Sequence, residues 1–156
     1  MGLRGIDLFC GAGGSSQGAS DAGVRMVGAV DQWDIATATY ADNFPSARGE
    51  IVTATLNDKT GAEIFRSIGK VDLLIASPEC THHSLARGSR PRCEKSRRSG
   101  WFVVQFIEDF DPEFIVLENV AMMRHWDGYR LLYETLEKRY GYQLRAQILR
   151  ARPEIS

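Results

Sequence analysis

Apolar residues fall along this chain in short runs, and the stretches between them carry helical rather than alternating spacing. Residues 3–9 form a first run, ended by glycines, and residues 15–22 follow as a helix. Residues 25–30 make a second run, and residues 33–43 a helix halted near Pro45. A weak strand surrounds Ile51, and a short helix is predicted over 61–68. Residues 71–76 are almost wholly apolar, as expected for a strand buried on both faces. Residues 88–100, rich in Arg, Ser, Gly and Pro, have no periodicity and read as a loop. A helix over 101–110, a strand over 114–117, a helix over 129–140 closed by Gly141, and a sixth strand over 142–149 complete the pattern. Strands alternating with helices predict an α/β fold with a mainly parallel sheet. No repeat or internal linker interrupts it.

The 156 residues suit one domain with a sizeable core. No apolar run approaches the roughly 20 residues of a membrane helix, and the first residues carry no leader pattern. Three cysteines, an odd number, argue against a disulfide framework and fit a reducing cytoplasm. With a net charge of −1, any nucleic-acid contact requires a local patch. One exists: Arg87, Arg90, Arg92, Lys95, Arg97 and Arg98 are opposed only by Glu94. Alone, this patch reads equally as a solvated loop.

Two stretches carry candidate chemistry. In "IDLFCGAGGSSQG" a glycine-rich turn follows the first strand, so Gly11, Gly13 and Gly14 allow close backbone approach at a helix N-terminus that can receive an anion. It is not the dinucleotide fingerprint, because Ser16 holds the third glycine position. Asp31, ending the second strand, is placed either to accept ribose hydroxyls or to cap the next helix. Trp33 is a candidate to stack on a base or to serve as core. The second stretch, "VDLLIASPECTHHS", runs a buried strand into Cys80, which on its residues alone is a metal ligand, a redox group, a nucleophile or a plain loop thiol. A metal site with His82, His83 and Cys93 has irregular spacing and is not expected.

"DLFCGAGGSSQG", the acid in "GAVDQW", "GEI" at residues 49–51, "SPECTHHS" and "LENV" together resemble, in order, successive motifs of the cytosine-5 DNA methyltransferases. The resemblance spans essentially the whole chain. It implies a Rossmann-like S-adenosylmethionine-dependent fold with strand order 3-2-1-4-5 and S-adenosylmethionine as cofactor. By position it assigns Phe9, Gly11, Gly13 and Gly14 to the cofactor turn, Asp31 to the ribose, and Glu50 and Ile51 to the adenine. Cys80 matches the catalytic nucleophile, and Glu118 and Asn119 the family's Glu-Asn pair. The loop carrying Ser84, Arg87, Arg90, Arg92, Arg97 and Arg98 resembles the segment that closes over double-stranded DNA while a cytosine is flipped out. Methylation of the restriction–modification kind, in the cytoplasm or on the nucleoid and without a metal, is what this resemblance implies.

The chain departs from the family pattern in places. Glu79 stands between Pro78 and Cys80 where a proline is usual, and a carboxylate beside a thiol disfavours its thiolate. Gln32 stands where the family often has an aromatic residue. The arginine motif that orients the cytosine is expected just beyond Ser156, since "QILRAR" at 147–152 has one residue too many. Residues 1–156 are therefore expected to be the N-terminal, C-terminally truncated portion of a catalytic domain, without a target recognition domain. A second polypeptide carrying the missing motifs is an implied partner, and a sixth strand without a seventh is expected to pair in an oligomer or to be disordered after Tyr140. Two other functions stay open: RNA cytosine-5 methylation, and a cofactor-binding subunit inactive alone.

Overall fold

The computed structural model describes residues 2–78, 98–125 and 127–149. Its centre is a five-stranded sheet in the order β3-β2-β1-β4-β5. The strands are β1 (Arg4–Leu8), β2 (Arg25–Asp31), β3 (Ile51–Thr53), β4 (Leu73–Ala76) and β5 (Phe114–Leu117). Every pairing is parallel, so all carboxyl ends share one side of the sheet. Among the described residues there are four α-helices: α1 (Gly14–Asp21), α2 (Asp34–Asn43), α3 (Val103–Phe110) and α4 (Asp127–Lys138).

Side chains alternate across β1 and β4, while β2 carries an irregularity opposite Gly5–Ile6 that sets Met26 and Ala29 on one face and Val27 and Val30 on the other, and two cores result. Ile6 and Leu8 of β1, Val27 and Val30 of β2, and Leu74 and Ala76 of β4 pack with Phe106 of α3 and Leu132 and Leu136 of α4. On the opposite face Met26, Ala29, Leu73 and Ile75 pack with Tyr40 of α2 and with Phe44. β4 is buried at all four residues, as its unbroken apolar run predicts.

Two predicted elements are not formed. Residues 61–68 hold only a 3₁₀ turn, Ala62–Ile64. The reason is local competition for backbone donors. The Glu50 carboxylate accepts the N–H groups of Arg66 (2.7 Å) and Ser67 (3.0 Å). Those donors are thereby withdrawn from a helical ladder. The expected sixth strand is likewise absent: residues 141–149 have no regular structure. Their start is tied to the adjoining chain by hydrogen bonds. Tyr142 donates its N–H to Leu136 O (3.1 Å) and its hydroxyl to Pro112 O (2.6 Å), and Tyr133 donates to Leu144 O (3.1 Å). An apolar alternation makes a strand only beside another strand, and among the described residues nothing pairs the outer edge of β5. Phe114, Val116 and Leu117 stand exposed there, with Ile148 and Leu149 exposed beyond.

Candidate cofactor and catalytic site

The parallel sheet gathers the chemistry at the carboxyl ends of its strands. After β1 the chain turns sharply: Phe9 has φ 62°, Gly11 φ 51° and Gly13 φ 98°. A non-glycine residue in the left-handed region costs energy, so Phe9 is held there by its surroundings, packed against the first core. Gly13 has no alternative residue. A Cβ there would sit 2.4 Å from the Phe44 ring and 3.1 Å from that of Tyr40. The turn is pinned to its neighbours by Cys10 N–H on Val30 O (3.1 Å) and by Asn43 Nδ2 on Ala12 O (3.0 Å).

Asp31, at the end of β2, acts on both sides of the turn. Its Oδ2 accepts the Gly11 N–H and its Oδ1 the Trp33 N–H, each at 2.9 Å. A carboxylate has about four acceptor sites, so two remain for vicinal hydroxyls. Asp31 does not cap α2, whose N-cap position is Trp33 with no side-chain cap bond; it closes a turn onto the Trp33 N–H and keeps acceptor sites open for hydroxyls. Trp33 is exposed and is not core.

These features suit S-adenosylmethionine. A Cβ at Gly11 or Gly14 would meet nothing within 4 Å, so the turn borders open space that a side chain would take from a ligand. The α1 N-terminus has no capping side chain and no acid in its first turn, which leaves its amides and partial positive charge for a carboxylate. A cleft lined by Phe9, Asp31, Gln32, Thr55, Leu56 and Ser77 continues from the turn across the strand ends. It is the space in which the cofactor's nucleoside would lie.

Glu50 and Ile51 are not among the residues that line that cleft. Ile51 opens β3 and pairs with Ala29, two residues before Asp31, so Glu50 lies about 10 Å back from the strand ends at about 3.3 Å per residue. Its carboxylate is occupied by Arg66 and Ser67. Ligands bind outside the carboxyl ends of such sheets, and there the chain presents Ala54, Thr55 and Leu56. The sequence motif fixed on the acid, whereas the register with β2 decides which residue reaches the cleft.

The second cluster lies between β4 and β5. Glu118 N–H donates to Ala76 O (3.0 Å), which sets Glu118 level with the chain leaving β4. Asn119 Nδ2 donates to Pro78 O (3.1 Å), and its Oδ1 accepts the Val120 N–H (2.8 Å). Asn119 thus clamps the peptide two residues before Cys80. Cys80 itself, with Ser84, Arg87, Arg90, Arg92 and Arg97, lies outside the described residues. Arg98 begins the 3₁₀ turn Arg98–Phe102. Cys10 is buried, and burial, with Asp7 adding to it, pushes its thiol pKa up, so it is a core residue and no nucleophile.

One group under the site escaped the sequence reading. Asp7, in the middle of β1, points to the α1–α2 face and is 1% exposed. Ser16 donates to its Oδ2 (2.6 Å), and because that proton is committed, Tyr40 donates in turn to Ser16 (2.7 Å). Asp7 Oδ1 has no partner. Burial pushes the Asp7 pKa up to about 7, partly offset by the Ser16 bond, and Asp31 adds to the rise. The signal was an acid inside an apolar run, "GIDLF".

Among the described residues no helix is long and apolar enough to cross a membrane. A family model described as C-5 cytosine-specific DNA methylase matches residues 3–153. The Type II methyltransferase M.DdeI of Desulfomicrobium norvegicum is 35% identical over 74% of this chain and 27% of its own. M1.HphI of Haemophilus parahaemolyticus is 31% identical over 97% of this chain and 42% of its own. Among solved structures, a prophage-encoded protein from E. coli described as a DNA modification methyltransferase superposes with a TM-score of 0.64 at 26% identity, over 84% of this chain and 38% of that one. The chain thus spans about a quarter to two fifths of the length of these relatives. With the strand order, the glycine turn and these matches in agreement, the chain belongs to the C-5 cytosine-specific DNA methylase family, whose cofactor is S-adenosylmethionine.

Proposed function

We propose that residues 1–156 form the cofactor-binding and nucleophile-bearing part of a DNA cytosine-5 methyltransferase that acts in the cytoplasm. The observation that carries this reading is the Asn119–Pro78 hydrogen bond at 3.1 Å. It joins the Glu118–Asn119 pair to the segment leading to Cys80, beside a turn suited to S-adenosylmethionine. Two resemblance-based assignments thereby meet at adjacent strand ends, far apart in sequence.

In the proposed reaction a cytosine is flipped out of duplex DNA, because neither face of a stacked base is open to attack. The Cys80 thiolate adds to carbon 6, forming a C–S bond and moving the electron pair of the 5,6 double bond onto carbon 5. Glu118 hydrogen-bonds ring nitrogen 3 and holds a proton there, stabilising the charge that the addition develops. S-adenosylmethionine, which the Phe9–Gly14 turn and Asp31 would hold, would supply the methyl group to carbon 5 and leave as S-adenosylhomocysteine. Loss of the carbon 5 proton to a base and breaking of the C–S bond regenerate the thiolate. Asn119 fixes the backbone from which Cys80 is presented. The arginines between Arg87 and Arg98 meet phosphates.

The relatives' greater length supports a complete or partner-complemented enzyme as the active species, with target recognition supplied by further sequence. The test is methyl transfer to duplex DNA, with a 5-fluorocytosine substrate to trap the adduct. Cys80→Ser is expected to abolish both transfer and trapping while the affinity for S-adenosylhomocysteine stays within twofold of wild type. Glu118→Gln is expected to slow transfer at least a hundredfold. Full turnover by Cys80→Ser would overturn the nucleophile assignment, and a preference for RNA over DNA would overturn the substrate.

A further inference from the structure

The cleft has a direction. The α1 N-terminus beside Gly14 receives the anionic end of a ligand, and Asp31, at the end of β2, offers its remaining acceptor sites to ribose hydroxyls. Because β3 lies on the far side of β2 from β1, a base attached to that ribose extends over the carboxyl end of β3. There the cleft is lined by Gln32, Ala54, Thr55 and Leu56.

Among the described residues no ionised group lines that end. Among the described lining residues Asp31 alone carries a charge, and it belongs to the ribose end. Glu50, the nearby acid, is turned to Arg66 and Ser67 behind the strand. Gln32 and Thr55 are neutral, each able both to donate and to accept, and Thr55 is exposed to solvent. We propose that Thr55 stands at the exocyclic edge of the purine, and that the chain consequently makes little use of the adenine amino hydrogens in selecting its cofactor. This deepens, and rests on, the assignment of the cleft to S-adenosylmethionine.

The physical basis is the difference between acceptors. An amino N–H given to a carboxylate is a charge-assisted bond, stronger than one given to a neutral hydroxyl. An N–H facing an exposed hydroxyl exchanges with water at little net cost. Selectivity at that edge therefore follows from the residue at position 55, and an aspartate there would create it.

Calorimetric titration of the full chain with S-adenosylhomocysteine and with its N6,N6-dimethyl analogue, which has no amino hydrogens, tests this. Wild type is expected to bind the two within about fivefold. Thr55→Asp is expected to bind the parent compound more tightly and to separate the two by tenfold or more, the range of one charge-assisted bond. A wild type that discriminates tenfold or more, or a Thr55→Asp variant whose ratio is unchanged, would overturn the inference. Unimpaired binding of S-adenosylhomocysteine by Asp31→Ala, or no binding by wild type, would instead strike down the underlying cofactor assignment, and the inference with it.

Discussion

Asp7→Asn isolates a term in stability that the fold carries beneath its cofactor turn. The folded-state pKa of Asp7 is raised from 3.8 to about 7, chiefly by burial. Between those values the folded protein holds a proton that the unfolded chain has released. Stability therefore falls as pH rises through this window, by about 1.36 kcal/mol per pH unit. From pH 4 to pH 7 the loss amounts to about 4 kcal/mol, a large share of the 5–15 kcal/mol typical of a domain. Asparagine keeps the shape and the acceptor for Ser16 but does not titrate. Its amide N–H groups inherit the position of the unpartnered Oδ1, at a cost of about 1–3 kcal/mol. The variant should thus be less stable than wild type by about 1–3 kcal/mol at pH 4.5 or below, and more stable by a similar amount at pH 8. Urea unfolding of both proteins at half-unit steps from pH 4.5 to 8.5 gives the difference curve, in which titrations common to both cancel. A difference constant to within about 0.5 kcal/mol across that range would refute the assignment of the buried proton to Asp7.

The other expectations concern the turn and the clamp. Gly13→Ala meets both a left-handed φ of 98° and the Phe44 ring, so it should destabilise by about 2–4 kcal/mol and weaken S-adenosylhomocysteine binding at least tenfold, as thermal unfolding and calorimetry would read. Gly11→Ala meets open space at φ 51° and should cost only about 1–2 kcal/mol; equal losses for the two glycines would contradict the packing argument. Asn119→Ala removes the bonds to Pro78 and Val120 and should lower kcat of the complete or complemented enzyme about tenfold to a hundredfold, with cofactor affinity unchanged. A parallel loss of cofactor affinity in a transfer and binding assay would make its effect general rather than positional.

What the sequence revealed of this fold, and what it concealed, divides along the range of the interactions involved. β4 was legible because four consecutive apolar residues fit only a strand covered on both faces. The turn at Gly11–Gly14 was legible because its conformation excludes most side chains, and the motif that fills it is contiguous. The helix expected over residues 61–68 failed for a reason written elsewhere in the chain: Glu50 takes the backbone donors of Arg66 and Ser67. The sixth strand failed because a strand is a property of a pair, and 142–149 has no neighbour among the described residues. The place of Glu50 depends on a pairing in the same way, on a smaller scale. Its motif placed an acid near β3, but the parallel register Ala29↔Ile51 sets how far β3 reaches toward the cleft, and that register is a contact between residues 22 apart. Thr55, unremarkable in sequence, gains its position from that register alone. Asp7 is the opposite case: its signal was local, an acid amid apolar neighbours, yet its consequence depends on Ser16 and Tyr40 arriving from two helices. A carboxyl buried with one oxygen satisfied and the other bare is costly, and the cost is concentrated directly under the turn that would bind the cofactor. The fold thus sets a non-glycine residue in the left-handed region, Phe9, two residues beyond a buried carboxyl with an unpartnered oxygen, Asp7, a local cost that suits a stretch shaped for a ligand rather than for stability alone.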